Sequence, residues 1–534
     1  MTSVEESTQK LINAVGSWNI HKIHDLLRGG ADVNGRDKCR YRVDDVYCMY
    51  DGNTPLMIAS RLGFLDVVRI LLKDNRVEVN ATDNHGNTAL IVASAEGRLD
   101  IVCELLKDDR LEANAKGSRG NTALIFASVL RRFNVVCELL KDNRVEVNAK
   151  NSLGYTALIA ACREGYGREG LFCDINVVIE LLKDKRVDVN AKDAYGGTAL
   201  ITASCYGSLN IVCELLKDNR VEANAKDNRG DTALMLASAF GRINFVRELL
   251  KDDSVNVNAK NEVGSTALIS ACRQGHVDVV LELLKDDKLE VNASENDGRT
   301  ALMMACSSAL LPTARELLKD DRVDVNARDT KGFTPLIMAS FSWTRETNAR
   351  LRDPLPPDHF YFELSFHRER AFEGVVRELL QHDRLDINGK DFRGCSAFYW
   401  VSSHGSHRAI RLFLENHERV DLNATNSLGY TALMWACLRG QSDIVSELLA
   451  LPMVDVHAKN KAGSTALDIA RGLEMIEITR LLEEYERNFF GAIDNCEGKV
   501  LGGDADRRRF VQYKVDGSDK DVVGGKRKRG VSIN

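Results

Sequence analysis

At 534 residues, the chain is too long for one compact hydrophobic core, so several domains or a repeating array are expected. Its formal net charge is −6, and its 72 basic and 78 acidic residues are mixed along the chain, which disfavours nucleic-acid binding. No apolar run is long enough to span a membrane, so no membrane insertion is expected.

A short sequence motif recurs along almost the whole chain. Gly52, Gly86, Gly120 and Gly154 each precede a triplet such as T-A-L, and they follow one another at intervals of 34 residues. A fixed period of this length indicates a stacked array of small structural units.

The N-terminal residues predict the beginning of this array. Residues 1–18 have no basic segment that leads into an apolar run, so no secretory signal is predicted. Residues 7–37 are predicted to form a capping unit, because their opening helix at Gln9–Val15 lacks the triplet. Residues 38–50 are predicted to be an insertion that lengthens the first hairpin.

One regular copy, residues 194–227, shows how each unit begins. Thr198 stands where a first helix starts, and the small residues Ala199 and Ala203 lie four apart on one face of it. This spacing lets a neighbouring helix approach closely. Gly207 is predicted to end the helix in the left-handed conformation, which glycine adopts without steric cost.

The second half of this copy predicts a second helix and a hairpin. Apolar residues recur at three- and four-residue intervals over residues 209–216, which predicts one buried side. Residues 221–225 alternate like an extended segment, and residues 227–230 have the chemistry of a tight turn. Because neither helix can bury its apolar stripe alone, neighbouring units must stack. The predicted fold class is an all-α repeat solenoid, elongated and curved.

These residues resemble the ankyrin-repeat family. The family pattern G-x-T-P-L-H-x-A is similar to Gly52–Ala59, and a later V-N-A-x-D is similar to Val79–Asp83, with about thirteen such units over residues 7–490. Proline remains only at Pro55 and Pro335, and Ile or Met replaces the family's His. The resemblance implies helix-turn-helix-hairpin units that bind proteins on the hairpin tips and first helices. It also makes hydroxylation of the V-N-A asparagines an open possibility.

Further along, two more insertions interrupt the period. Residues 165–173 carry a G-x-G-x-x-G motif, but a helix rather than a strand is predicted before it, which favours a loop over a nucleotide site. Residues 343–370 are predicted to lie between the two helices of the tenth unit. A C-terminal cap is predicted over residues 461–490, which ends the array of residues 1–490. Residues 491–534 are predicted to be mostly disordered.

No set of residues predicts an enzyme, a cofactor or a metal site. His404 and His407 lack the further ligands that zinc requires. No Ser/His/Asp or Cys/His set stands on elements with a catalytic signature. The glycosylation sequons at Asn80, Asn292 and Asn423 are interpreted as chance products of V-N-A.

Thirteen cysteines and a repeated charged loop also need an interpretation. The loop K-D-x-R allows an ion-pair ladder or a binding strip, but its mixed charges favour a solvated edge. The cysteines show no compact disulfide spacing, so free buried thiols in a reducing compartment are predicted. Four of them share one repeat position with small residues: Cys162, Cys272, Cys306 and Cys437.

Residues that vary between copies are the candidates for partner binding. Tyr206 and Phe240 occupy equivalent positions in adjacent units, with Tyr195 nearby, so they predict either one binding hot spot or scattered surface aromatics. The full set of predicted partner-binding residues is Tyr155, Tyr195, Tyr206, Arg229, Phe240, Arg273, Phe333 and Phe341.

Two hypotheses about function follow from the sequence. The first is a non-enzymatic intracellular scaffold that binds one or more proteins and takes no small-molecule substrate. The second is a nuclear regulatory factor, whose import would depend on a basic cluster in the tail; a solubilising tail is the alternative interpretation of this cluster. The predicted location is therefore the cytoplasm, the nucleus or both. The cluster comprises Lys526, Arg527, Lys528 and Arg529.

Overall fold

The computed structural model describes residues 3–37, 42–43, 46–47, 52–163, 175–342, 359–404 and 407–497. The chain divides into two compact units, unit 1 (Met1–Asn296) and unit 2 (Asp297–Asn534). In each unit the described residues form successive pairs of short helices, and each pair is followed by a loop of tight turns. Each unit is an all-α repeat solenoid, as the periodicity predicts.

The helices of unit 1 alternate between a first and a second helix of each pair. The first helices are α1 (Ser3–Gly16), α3 (Pro55–Leu62), α5 (Ala89–Glu96), α7 (Ala123–Val129), α9 (Ala157–Ala161), α11 (Ala199–Tyr206), α13 (Ala233–Ala239) and α15 (Ala267–Gln274). The second helices are α2 (Ile20–Arg28), α4 (Leu65–Leu72), α6 (Leu99–Leu106), α8 (Phe133–Lys141), α10 (Ile175–Lys183), α12 (Leu209–Lys217), α14 (Ile243–Leu249) and α16 (Val277–Leu284).

Unit 2 continues the same alternation. Its first helices are α17 (Ala301–Ser307), α19 (the helical residues 335–342), α21 (Ala397–His404), α23 (Ala432–Leu438) and α25 (Ala466–Gly472). Its second helices are α18 (Leu311–Leu318), α20 (His359–Leu380), α22 (His407–Leu414), α24 (Ser442–Leu449) and α26 (Ile476–Glu497).

A threonine sets the start of most first helices. The Thr198 side-chain oxygen accepts a hydrogen bond from the Ile201 main-chain N–H at 3.3 Å, which satisfies one of the free donors of the first turn. Ala199 and Ala203 behind it are buried, as predicted. Because these side chains are small, first helices pack directly on the first helices of neighbouring pairs.

The end of α11 differs from the prediction. Gly63, Gly97 and Gly275 end their helices in the left-handed conformation, but Gly207 has φ −89° and ψ −175°, which is extended backbone. The left-handed prediction for Gly207 was therefore wrong. A side chain at Gly207 would place its Cβ 2.8 Å from the carbonyl oxygen of Cys162, so glycine is needed there for close approach of the preceding pair.

The second helices supply the larger part of the apolar core. In α12, Ile211, Val212 and Leu215 are completely buried, while Leu209 and Leu216 are half-buried. This side of α12 packs against α10 and α14, the second helices on either side of it. Hydrophobic burial is thus shared between successive pairs within a unit, as expected of a repeat protein.

The loops between pairs are built from turns. Asp193 accepts hydrogen bonds at one carboxylate oxygen from the main-chain N–H groups of Tyr195 and Gly197, at 2.8 and 2.7 Å. The Asn228 N–H then donates to the Tyr195 carbonyl at 2.9 Å, which links one hairpin tip to the next. The extended arms predicted for residues 221–225 form no strand ladder.

Among the described residues, strands form only in the first predicted insertion, where β1 (Arg42–Val43) pairs antiparallel with β2 (Val46–Tyr47). The second insertion, residues 165–173, lies outside the described residues. No helix in the described part of the chain is long and apolar enough to cross a membrane.

Two predicted boundaries differ from the structure. Helix α20 begins at His359, so the last part of the predicted 343–370 insertion belongs to a 22-residue second helix. Helix α26 runs to Glu497, beyond the predicted end of the cap at residue 490. Residues 343–358 and 498–534 lie outside the described part, so the predicted disorder of the tail stays a prediction.

Candidate protein-binding surface

The V-N-A asparagines hold neighbouring pairs together. The Asn190 side-chain amide donates to the Arg220 carbonyl at 2.7 Å, and its oxygen accepts from the Glu222 N–H at 2.9 Å. Both ends of the side chain are therefore used inside the stack. The same two bonds recur at Asn80, Asn114, Asn148, Asn224, Asn258, Asn326, Asn388 and Asn423.

The arginine of the K-D-x-R loop also joins one pair to the next. Arg220 binds Asp218 at 2.6 Å and donates to the Leu182 carbonyl, near the end of the preceding second helix, at 2.7 Å. The hydrogen bond from Arg220 lowers the pKa of the Asp218 carboxyl. These loops form an ion-pair ladder that also caps helices, along an edge that is exposed to solvent, as predicted, at Lys217 and Asn219. The same contacts recur at Arg76, Arg110, Arg144 and Arg186.

The predicted hot spot of unit 1 is exposed. The relative solvent accessibility is 65% for Tyr195, 51% for Tyr206 and 54% for Phe240. The Arg163 guanidinium lies over the Tyr206 ring, 5.0 Å from its centroid, and donates to the Tyr155 hydroxyl at 2.8 Å. Arg163 therefore joins two predicted tyrosines that belong to different pairs.

The two predicted arginines of unit 1 both have acidic partners. Arg229 lies 3.6 Å from Asp231, and Arg273 pairs with the buried Glu295. Their charges are thus partly neutralised within unit 1.

A cluster of aromatic side chains lies on the first helices of unit 2. Phe333, Phe341 and Trp400 form a triangle, with ring centroids 5.1 to 6.0 Å apart. The cluster continues from Trp400 through Tyr399 to Trp435, with centroid distances of 6.3 and 5.5 Å, and ends at Tyr430. We call this set the aromatic strip: Phe333, Phe341, Tyr399, Trp400, Tyr430 and Trp435.

Polar atoms of the aromatic strip are satisfied within the protein. Trp400 donates its indole N–H to Asp391 at 3.1 Å, and the Tyr399 hydroxyl accepts from the Asn426 side chain at 2.9 Å. Tyr399 is buried, and Trp400 and Trp435 are half-buried. The strip therefore presents apolar ring edges to its surroundings.

Four cations lie beside the aromatic strip. Lys331 and Arg393 stand at hairpin tips, Lys461 stands next to a tip, and Arg439 ends α23 with its guanidinium 5.7 Å from the Trp435 ring centroid. Within the described ranges of unit 2, none of the four forms an ion pair with a carboxylate.

The candidate metal ligands and the cysteines were singled out by the sequence. No group of three or more potential metal ligands occurs among them. Cys162, Cys272, Cys306 and Cys437 are buried and free, as predicted, and burial raises the pKa of Cys437 to about 12. The G-x-G-x-x-G motif, the side chains of His404 and His407, and residues 526–529 lie outside what the structure describes.

Comparisons with known proteins agree with the architecture. A family model described as ankyrin repeats in three copies matches residues 11–116, 145–227, 171–261, 206–295, 254–329, 369–460 and 398–491. No curated protein matches the chain.

Solved structures also resemble parts of the chain. The crystal structure of EF0377, an ankyrin repeat protein, is 26% identical, covers 37% of this chain and 97% of its own, and has a TM-score of 0.34. A chain from the complex of the predatory endopeptidase Bd0816 from Bdellovibrio bacteriovorus with immunity protein Bd3460 is 27% identical, with the same coverage and a TM-score of 0.32. From the family match over most of its length, the chain belongs to the ankyrin-repeat family.

Proposed function

We propose that this protein is a non-enzymatic scaffold that binds one or more proteins on its hairpin tips and first helices. The observation that carries the proposal is the exposure of Tyr195, Tyr206 and Phe240 on this surface. Exposed aromatic side chains are frequent anchors of protein interfaces, because they bury a large apolar area at small entropic cost.

The use of the other repeated residues supports this assignment. Ile211 and Leu215 are buried between stacked pairs, and Asn190 and Arg220 form hydrogen bonds to neighbouring pairs. These groups are needed for the array itself, so their side chains are not available to a partner. Tyr195, Tyr206 and Phe240, which vary between copies, remain exposed.

The test is quantitative co-purification of partners from cells with a tagged full-length chain. The variant Tyr195→Ala/Tyr206→Ala/Phe240→Ala is expected to lose at least about tenfold in recovery of its partners, because removal of an interface anchor costs about 2 kcal/mol or more. A matched control removes exposed apolar side chains from second helices, with Leu281→Ala and Ile476→Ala. Equal recovery of partners by the native chain and the triple alanine variant would contradict the proposal for this patch.

Nuclear import through the tail remains a second proposal. It rests on the cluster of Lys526, Arg527, Lys528 and Arg529. Replacement of the four residues by alanine is expected to shift a fluorescent fusion of the full chain from the nucleus to the cytoplasm. A distribution identical to that of the native fusion would exclude this role for the cluster.

A further inference from the structure

We infer that the aromatic strip and its four flanking cations bind an acidic peptide segment that carries aromatic or aliphatic side chains. The inference rests on the proposed function and names the chemistry of one partner. It concerns unit 2 alone, whereas the co-purification test above addresses a patch of unit 1.

The apolar part of the surface spans three consecutive first helices. Phe341 on α19, Trp400 on α21 and Trp435 on α23 are all half-buried, so each residue keeps part of its surface exposed to solvent. Their edge-to-face contacts hold the rings in place before a partner arrives. A prearranged surface of this kind costs a ligand little conformational entropy in the protein.

The charge of the surface selects the partner. Near the strip, the carboxylates of Asp329 and Asp391 are buried and accept main-chain N–H groups of their own hairpins. Asn426 and Asn460 occupy the same turn position in the next two pairs and carry no charge. The two carboxylates therefore form no ion pair with the four cations, and an acidic segment can supply such partners.

The contrast with unit 1 strengthens this argument. There the equivalent surface cations Arg229 and Arg273 already have Asp231 and Glu295 beside them. The cations beside the aromatic strip, Lys331, Arg393, Arg439 and Lys461, have no such neighbour among the residues described in unit 2.

A single-stranded nucleic acid fits the strip less well. Such ligands stack their bases on free aromatic faces. The Trp435 ring already has Tyr399 tilted against it, Tyr430 edge-on and Arg439 over it. The protein's own tail, residues 498–534, is a poor match as well, because its basic residues outnumber its acidic ones.

The test is a selection of random 16-residue peptides displayed on their encoding RNA, carried out on the purified full-length protein. We expect the enriched peptides to combine Asp or Glu with aromatic or aliphatic residues. Affinity of a selected peptide is then measured by fluorescence anisotropy. Raising NaCl from about 50 to about 300 mM is expected to weaken binding about tenfold, because exposed charges are screened.

Two triple variants locate the binding surface. Lys331→Gln/Arg393→Gln/Arg439→Gln is expected to weaken peptide binding at least about tenfold. The control Arg315→Gln/Lys319→Gln/Arg411→Gln removes the same charges from second helices and is expected to change affinity less than about twofold. Thermal unfolding of both variants establishes that they are folded, and the salt dependence of the native protein tests the charge argument without substitution.

Three results would overturn the inference. They are enrichment of no acidic peptide, equal binding of acidic peptides by both triple variants, and tighter binding of the single-stranded RNA rU16 than of any selected peptide. If these occur while partners are still captured through Tyr206 and Phe240, only the inference fails and the proposed function stands.

Discussion

The hydroxyl of Ser340 is completely buried in α19 and has no hydrogen-bond partner in the described part of the chain. Other pairs place a serine in the same condition at this position, whereas Cys272, Cys306 and Cys437 place a thiol there. A thiol loses less than a hydroxyl when it is buried without a partner. The same condition holds for Ser60, Ser94, Ser128, Ser204 and Ser238.

Ser340→Ala is expected to stabilise the protein by about 1 kcal/mol, because the unpaired hydroxyl is removed from the core. The free energy of unfolding is measured by urea denaturation of the full chain. Ser446→Ala, on the exposed side of α24, is the control for the general gain in helix propensity. A gain for Ser340→Ala no larger than that of the control would show that the buried hydroxyl costs nothing.

The sequence predicted the exposure of single residues in the candidate site but not the contacts between them. The variability of Tyr195, Tyr206 and Phe240 between copies predicts surface positions, and the structure places all three in the open. The sequence did not predict the contact of Arg163 with Tyr206, because it joins residues 43 positions apart across an insertion. Nor did it predict that Phe333 and Phe341 contact Trp400, a residue of the next copy.

At the scale of the elements, a missing arginine offers a direct test of the ladder. The loop after α14 has Ser254 where the preceding loops have Arg220 and Arg186, although Asp252 keeps the position of Asp218. The Ser254 N–H still bonds to Asp252 at 2.9 Å, so the backbone of the loop is already arranged for an arginine.

Ser254→Arg is expected to add about 1 kcal/mol to the free energy of unfolding, because the guanidinium can reach Asp252 and the carbonyl of Leu216. Urea denaturation measures the change. Ser254→Lys is the control, since it adds charge without the planar fork of arginine. If both variants shift the midpoint equally, the hydrogen bonds to the helix end do not stabilise the array.

The ladder also predicts how stability depends on pH. Hydrogen bonding from arginine lowers the pKa of Asp108, Asp142, Asp184 and Asp218 in the folded protein. A lowered folded-state pKa means that the stabilisation is present above the unfolded value and is lost as pH falls through the folded value. Stability should therefore decrease as pH falls below about 4.

The variant Asp218→Asn tests how much one carboxylate contributes to this loss of stability at low pH. The variant is expected to melt below the native protein at pH 7, and the difference should shrink toward pH 2.5, because the native carboxylate loses its charge as pH falls through its lowered pKa. Melting temperatures are measured by circular dichroism at both pH values. A difference that is the same at both would assign the effect of Asp218 to something other than its charge.

The elements themselves were predicted well where local chemistry decides them. Thr198 begins α11, and the apolar spacing over residues 209–216 matches α12. Prediction failed at Gly207 because the close carbonyl of Cys162, which requires glycine there, comes from another pair. It failed for residues 221–225 because their main chain forms tight turns, with the Ala225 N–H bonded to the Glu222 carbonyl, instead of pairing with another strand.

At the scale of the whole molecule, the sequence repeat alone predicted the solenoid architecture and the family. A repeat requires the same stacking residues in each copy, so residues that depart from the pattern stand out. The aromatic strip could not be predicted in this way, because it depends on which departures of three successive copies come together in space. Its cations also could not be identified from the sequence, because only the structure shows that Asp329 and Asp391 bond to Phe333 and Trp400 rather than to these cations.

The central claim is that partners bind the hairpin tips and first helices. The most direct test is hydrogen exchange of the full chain, alone and with a co-purified partner, followed by mass spectrometry. Slower exchange is predicted for the tips and first helices, such as residues 194–206, while α12 and the other second helices keep their rates. Protection confined to the second helices would contradict the account.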